Sequence, residues 1–372
     1  MNHIVPTSHL HFRVDATQIR KVARVAHIGK KPASVAKFEV TSSALRYSTS
    51  TVDDRFKVAA TVPLHEPNHE AGAQCLLSST LLPKIGGLFE GILPFTLDPG
   101  EDTLYLQRGG YTGQFTVSTL PTESGLVSEN SVILATLPAA TLSEAISQAS
   151  LFSSRPDKSF AQYNGLRIGE RAARSGYSSA VAKYAGATIP EAFEAIVPKR
   201  HISNLSAVLA KLSGSIDLLV SDTTVGLRSS EAEISWVKEG NWPASLDRMF
   251  QRPITSSFTV LTSELQKSVM LLSIALDWVE IRIEKKDDLG RLILAGHGKN
   301  GRGHTPLSAW TSLDDLSNER WNFALNVPDL LSAALSVKTD RAELQVIDRG
   351  LYIRSGTPSY DATTLLLGSQ RT

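Results

Sequence analysis

The chain has 372 residues, 42% of them hydrophobic and 20% charged, with a formal net charge of +1, the balance of an ordinary globular protein. Its single cysteine, Cys75, excludes an intrachain disulfide and a zinc-cysteine cluster. The first twelve residues hold no apolar run fit for a signal peptide and nowhere do eighteen apolar residues stand together, so a cytoplasmic protein with no membrane contact is expected.

Taken in chain order, residues 12–28 open with an apolar strand (Phe12, Val14) and run into a helix whose apolar face is Ile19, Val22, Ala23 and Ala26. Residues 132–152 repeat the pattern, with Ile133, Ala135 and Leu137 in the strand and Leu142, Ala145, Ile146 and Ala149 on the helix face. Residues 258–274 repeat it again, through Phe258, Val260, Leu265, Ser268, Val269 and Leu272. The lead residues Ile19, Leu142 and Leu265 are 123 and 123 positions apart. After each copy comes a strand alternating polar and apolar residues: Lys37-Phe38-Glu39-Val40, Gly165-Leu166-Arg167-Ile168 and Glu280-Ile281-Arg282-Ile283. A second helix recurs as well, with Leu77, Leu82, Ile85, Phe89 matching Val197, Ile202, Leu205, Leu209 and Leu325, Leu330, Ala333, Val337. Two closing strands follow it each time. The pattern predicts an α+β chain of three repeated domains, each two helices packed on antiparallel sheet, at residues 1–127, 128–251 and 252–372.

Charge is segregated between these elements. The six helical windows carry nine basic residues (Arg20, Lys21, Arg24, Lys84, Lys199, Arg200, Lys211, Lys267 and Lys338) against three acidic ones (Glu144, Glu264 and Asp329), a net of +6. The remainder holds 29 basic and 34 acidic residues, a net of −5, so the helices present a positive field that the overall charge conceals.

No catalytic constellation is legible. Ser34 and Lys37 lead into a repeated strand, and Ser179 and Lys183 have the wrong spacing for a Ser-x-x-Lys nucleophile. The segment from Gly176 to Ala180 lacks the last glycine of a nucleophile elbow. The glycine-rich run from Gly296 to Gly303 lacks the Gly-Lys-Ser/Thr ending of a phosphate cradle and reads as a basic hairpin loop. His9/His11 and His65/His69 have no supporting ligand set, so neither metal nor cofactor is expected.

The threefold domain with basic helices resembles the bacterial DNA sliding clamp, the β subunit of the replicative polymerase. The resemblance covers the chain in order, through Ser118-Thr119-Leu120-Pro121, Tyr163-Asn164-Gly165-Leu166, Ile196-Val197-Pro198-Lys199, Trp242-Pro243 and Phe323-Ala324-Leu325-Asn326-Val327. It implies two copies joined head to tail in a ring of six domains, helices lining the hole and sheets outside. It further implies a non-catalytic processivity factor that encircles double-stranded DNA, tethers the DNA polymerase catalytic subunit, and is opened by a separate clamp loader. By position, Arg20, Lys21, Arg24, Lys84, Lys199, Arg200 and Lys267 are candidates for contacting DNA, joined by the loop residues Lys30 and Lys31. Contacts confined to phosphates suit sliding, since they carry no sequence information. Phe115 and Val117 resemble one side of the dimer interface, and Met270 and Leu271 the other.

The resemblance also implies a pocket for short, mostly apolar partner peptides, built from Tyr163, Arg174, Gly176, Tyr177 and Ser179 on one wall and Pro243, Arg248, Met249, Leu365, Leu366, Leu367 and Gly368 on the other. Here the chain departs from the family. Where clamps typically read Thr-Asp-Gly-His-Arg-Leu, it has Arg174-Ser175-Gly176-Tyr177-Ser178-Ser179, and it ends in Gly368-Ser369-Gln370-Arg371-Thr372 rather than a Met-Pro-Met-Arg-Leu-like tail. The hairpin at residues 169–174 is also shortened. A more polar pocket, with weaker binding of a standard clamp-binding peptide, is the expectation. A clamp-like scaffold that binds proteins without encircling DNA is the alternative.

Overall fold

The computed structural model describes residues 9–370 apart from 30–31, 68–71, 121–130, 154–164, 178, 187–190, 192–193, 240–241, 287–288, 299–300, 313–319 and 358–359. The helices are α1 (Ala16–Val25), α2 (Leu81–Leu88), α3 (Ala139–Ala149), α4 (Lys199–Leu209), α5 (Ala244–Arg248), α6 (Thr262–Ser273) and α7 (Val327–Ser336). Among the described residues, all of these but α5 are helices of the threefold sequence pattern. The repeated apolar faces are the buried ones: Ile19, Val22, Leu142, Ala145, Ile146, Ala149, Leu265 and Val269 are all 0% exposed. Each leucine, isoleucine or valine among them taken out of water is worth about 1.5–3 kcal/mol, far more than helix propensity supplies over these short segments.

Local chemistry sets the helix starts. The Asp15 carboxylate accepts from the Thr17 N–H at 2.7 Å and caps α1. Asn326 accepts from the Asp329 N–H at 3.2 Å and caps α7, with Pro328 in the first turn, where its missing N–H costs nothing.

The chain divides into two compact units, Met1–Ser143 with Arg200–Lys238, and Glu144–Lys199 with Glu239–Thr372. In the first unit, one antiparallel sheet runs Leu10–Asp15, Ile92–Asp98, Thr103–Arg108, Tyr111–Thr116. The other has nine strands, beginning at the edge with Val132–Pro138, then Ser215–Val220, Thr224–Arg228 and Ala232–Val237. It continues through Phe56–Pro63, Ala44–Ser50, Val35–Val40, Ala73–Ser78 and Ser118–Leu120. Helices α1 and α2 pack against each other in this unit.

In the second unit an eight-stranded antiparallel sheet runs Glu194–Pro198, Gly165–Gly169, Ala172–Tyr177, Ala180–Gly186, Tyr360–Leu367, Gly350–Thr357, Arg341–Ile347, Ile254–Leu261. A five-stranded sheet runs Gly301–Ser312, Leu289–Gly298, Trp278–Lys286, Arg320–Asn326, Ser369–Gln370. Helices α6 and α7 pack together, and their apolar faces join Phe258, Val279, Leu294, Leu344 and Leu366 in one core. The larger sheet of each unit joins strands from two successive sequence repeats, while the smaller sheet draws on one repeat alone.

Two strand expectations change in the structure. In Val132–Pro138 the pairing register shifts between Ile133 and Ala135, breaking the alternation, so Leu137 is buried while Val132, Ile133 and Leu134 are exposed. In Gly165–Gly169 all five residues are buried, Arg167 included, because α5 covers the face on which a polar residue would meet water. At the glycine-rich run, strands Leu289–Gly298 and Gly301–Ser312 pair antiparallel as far as Gly298 and Gly301. A Cβ at Gly296 would stand 2.2 Å from the Trp278 carbonyl oxygen, so this glycine serves close backbone packing.

Candidate functional site

Arg20, Lys21 and Arg24 lie on α1 opposite Ile19, Val22 and Ala23, and all three are exposed, as is Lys84 on α2. Lys199 and Arg200 open α4 and Lys267 stands on α6, all exposed. Their charges are not equally available. Lys21 bonds Glu231 at 2.6 Å, and Arg200 lies 3.3 Å from Asp53, whose carboxyl is held below its usual range mainly by the Thr51 hydroxyl. Arg20, Arg24, Lys84, Lys199 and Lys267 have no ion pair among the described residues. Lys211 donates to the Arg24 carbonyl oxygen at 2.7 Å, a cation closing the C-terminal end of α1, and burial followed by the neighbouring Arg24 charge lowers its pKa. Glu144 of α3 lies 3.8 Å from Lys338. Lys30 and Lys31 lie outside the described residues.

The outer face of the eight-stranded sheet holds most of the residues expected to form the peptide pocket. Strand alternation decides which meet. Leu365 joins Val181, Leu246, Met249, Ile347 and Tyr352 in a small apolar cluster, with Trp242, Phe250 and Leu367 packed half-buried against it. Leu366, one residue along, points to the opposite face and the helix-side core. Gly176 pairs with Val181, and a Cβ there would stand 2.7 Å from the Ala180 carbonyl oxygen, so only glycine fits. Tyr177 turns to the helix side, where its ring packs on Phe152 at 6.1 Å and its hydroxyl donates to Asp329. Ser179 is exposed in the turn and its carbonyl accepts from the Leu367 N–H at 2.8 Å. Gly368 donates its N–H to the Arg349 carbonyl at 2.9 Å. Pro243, half-buried, leads into α5, and Arg248 is exposed. Tyr163 lies outside the described residues.

Arg174 is not an open pocket wall. Its side chain and that of Arg167 are each 8% exposed and share acidic partners. Asp247 of α5 meets Arg167 at 2.9 Å and Arg174 at 3.3 Å. Glu170 meets the same two at 2.8 and 3.2 Å, and Glu194 lies 3.2 Å from Arg167. Glu170 and Arg171 form the two-residue turn between paired strands, with φ of 50° and 60°, left-handed values that favour Asn-Gly. The ion pairs hold Glu170 there: burial pulls its carboxyl upward, and the Arg167 and Arg174 contacts outweigh that and lower it. Sequence reading misses both α5 and this cluster, because five-residue helices leave no periodic signal and Arg167 meets Asp247 from 80 positions away.

Phe115, half-buried, lies on Tyr111–Thr116, the edge strand of its sheet, near a tilted Phe89–Tyr111 ring pair at 5.2 Å. Val117 is 3% exposed and committed to the core. On α6, Met270, Leu271 and Ile274 are 52%, 62% and 75% exposed, an apolar patch opposite the buried Leu265, Val269 and Leu272. Cys75 is buried, and burial, with the Asp102 charge, pushes its thiol up to about 12, which leaves it unreactive. Among the described residues no three His, Cys, Asp or Glu side chains gather as a metal site, and no helix is long and apolar enough to cross a membrane.

This architecture, helix pairs on antiparallel sheets repeated along one chain, defines a sliding-clamp fold. The solved structures with that fold include the DNA polymerase sliding clamp of Bacillus subtilis, at a TM-score of 0.78 and 13% identity over 98% of this chain and 100% of that one. The C. crescentus β sliding clamp gives 0.79 and 14% over 98% and 100%, and the polymerase β subunit of Streptococcus pyogenes 0.77 and 14% over 97% and 100%. Neither a protein-family model nor a curated protein sequence matches the chain. At such identities it is the fold that is shared.

Proposed function

We infer that this chain is a divergent DNA sliding clamp. Two copies close head to tail around duplex DNA and tether a DNA polymerase and other replication or repair proteins, with no catalysis or cofactor. The observation that carries this reading is the end-to-end likeness to bacterial clamps over 97–98% of the chain. In it, residues 1–127, 128–251 and 252–372 are three clamp domains, a separate loader opens the ring, and the protein works in the cytoplasm. Exposed cations on α1, α2, α4 and α6 would meet phosphates and leave bases unread. Topology rather than affinity keeps such a ring on DNA.

The apolar patch of Met270 and Leu271 on one copy would cover the Phe115 edge strand of the next, closing after two subunits. Light scattering tests this. The wild-type chain is expected near twice 40.2 kDa, and Met270→Asp with Leu271→Asp near 40.2 kDa and still folded by circular dichroism, since both side chains are exposed on the single chain. A wild-type monomer at micromolar concentration would favour the scaffold that does not encircle DNA.

A further inference from the structure

Strand Leu10–Asp15 is an edge of the four-stranded sheet, and its side chains alternate between two faces. Leu10 and Phe12 point into the core. His11, and His9 just before the strand, are exposed together on the opposite face, with ring centroids 6.4 Å apart. In sequence these histidines lack a supporting ligand set, and the sheet supplies orienting groups from a distant segment. Strand Ile92–Asp98 pairs with Leu10–Asp15, with Thr96 opposite His11 and Leu97 opposite Leu10, and so brings Thr96 and Asp98 beside the two imidazoles.

One Asp98 oxygen lies 3.2 Å from His9 Nδ1, and the other accepts from the N–H groups of Gly100 at 3.0 Å and Glu101 at 3.2 Å. The Asp98 side chain is 15% exposed against 61% for His9, so the acceptor is fixed while the imidazole is open to solvent. A carboxylate only accepts, so this contact places the proton of a neutral imidazole on Nδ1 and leaves Nε2 with a free lone pair. The Thr96 hydroxyl, 2.9 Å from His11 Nδ1, can accept in the same way. One ring nitrogen held by an oxygen and the other left open is the arrangement that orients imidazoles toward a metal ion. A tetrahedral ion with Zn–N bonds of about 2.0–2.1 Å sets two imidazole centroids about 5 Å apart, so rotation of two exposed side chains has to close the observed gap by about 1 Å.

We propose that His9 and His11 bind one divalent transition-metal ion of the zinc class through their Nε2 atoms, with Asp98 and Thr96 as positioning residues. Imidazole ligands favour zinc over magnesium and calcium, which take oxygen ligands. With two protein ligands, a tetrahedral shell leaves two positions for exchangeable water. The site shares no residue with the surfaces expected for DNA, the second copy or partner peptides, and it stands whether or not the chain encircles DNA.

The test titrates the full chain with zinc against a competing chromophoric chelator. The double variant His9→Ala, His11→Ala sets the background from the other histidines of the chain, and the wild type is expected to hold one zinc ion more. Each single variant should weaken that ion's binding at least tenfold. Asp98→Asn, which keeps an acceptor for the turn but loses the charge, should weaken it about tenfold, the lower end of what an outer-shell partner supplies. Both histidines are exposed, so the metal-free variants should give the wild-type circular dichroism. Equal zinc stoichiometry in the wild type and the double variant would overturn the site. Unchanged zinc affinity in Asp98→Asn would overturn the positioning role of that carboxylate.

Discussion

Asp247→Asn is the most informative single perturbation of the second unit. The carboxylate holds two arginine side chains that are each 8% exposed, at 2.9 and 3.3 Å, while the Asp247 side chain is 28% exposed. Removing one partner from a fully buried charge pair costs about 3–5 kcal/mol, because the other charge is left desolvated. The partial exposure of Asp247, and the help that Arg167 and Arg174 still receive from Glu170 and Glu194, bring the expectation down to about 2 kcal/mol. Glu170 and Glu194 are 55% and 60% exposed, so solvent screens them and they cannot take over in full. With a urea m-value of about 2–3 kcal/mol/M, the unfolding midpoint should fall by roughly 0.7–1 M, followed by tryptophan fluorescence of the whole chain. The triple variant Arg167→Met, Arg174→Met, Asp247→Leu should recover most of that stability, since an apolar replacement removes the desolvation problem. A midpoint unchanged to within about 0.2 M in Asp247→Asn would refute the claim that this cluster fastens α5 to the sheet.

Four further outcomes are expected. Neutralising Arg24, Lys199 and Lys267 to Gln should weaken binding to a linear duplex at low salt and reduce the salt slope by about one for each phosphate left without its cation. Glu231→Gln, which frees Lys21, should tighten the same binding, and fluorescence anisotropy across a salt series reads both. Arg171→Gly removes a left-handed non-glycine residue at φ 60° and gives up only an exposed pair with Glu191, so urea unfolding should show a gain of about 0.5–1 kcal/mol. The folded-state pKa of Glu170 is lowered from 4.5, so its stabilising contribution is complete above that pH and is lost as pH falls through the folded value. Glu170→Gln should therefore flatten the acid limb of a stability–pH curve and leave the neutral plateau similar in shape.

Which parts of this chain can be read in advance follows from the range of the interactions. The six repeated helices are legible because one face of each must be apolar at a 3.6-residue period, whatever it packs on. Leu142, Ala145, Ile146 and Ala149 show this, as do their counterparts on α1 and α6. The basic exposed faces are legible for the same reason. Whether each cation is free is not. Lys21 and Glu231 are 210 positions apart, and Arg200 meets Asp53 across the fold.

The expected peptide surface divides in the same way. Met249, Leu365 and Leu367 gather at one apolar cluster. Leu366, adjacent in sequence, lies on the other side of the sheet, because consecutive strand residues alternate faces. Tyr177 likewise faces the helices and bonds Asp329.

By itself, the sequence determined the threefold pattern, the helix faces and the segregation of positive charge onto helices, since each depends on periodicity or local composition. Only the tertiary structure decided that Arg167 and Arg174 are buried on Asp247, that Val132, Ile133 and Leu134 are exposed beside a register shift, and that Lys183 stands over Phe250 without a counter-ion among the described residues. Those outcomes depend on which distant strand or helix covers a given face, and pairing across 80 or more positions leaves no trace in the local pattern.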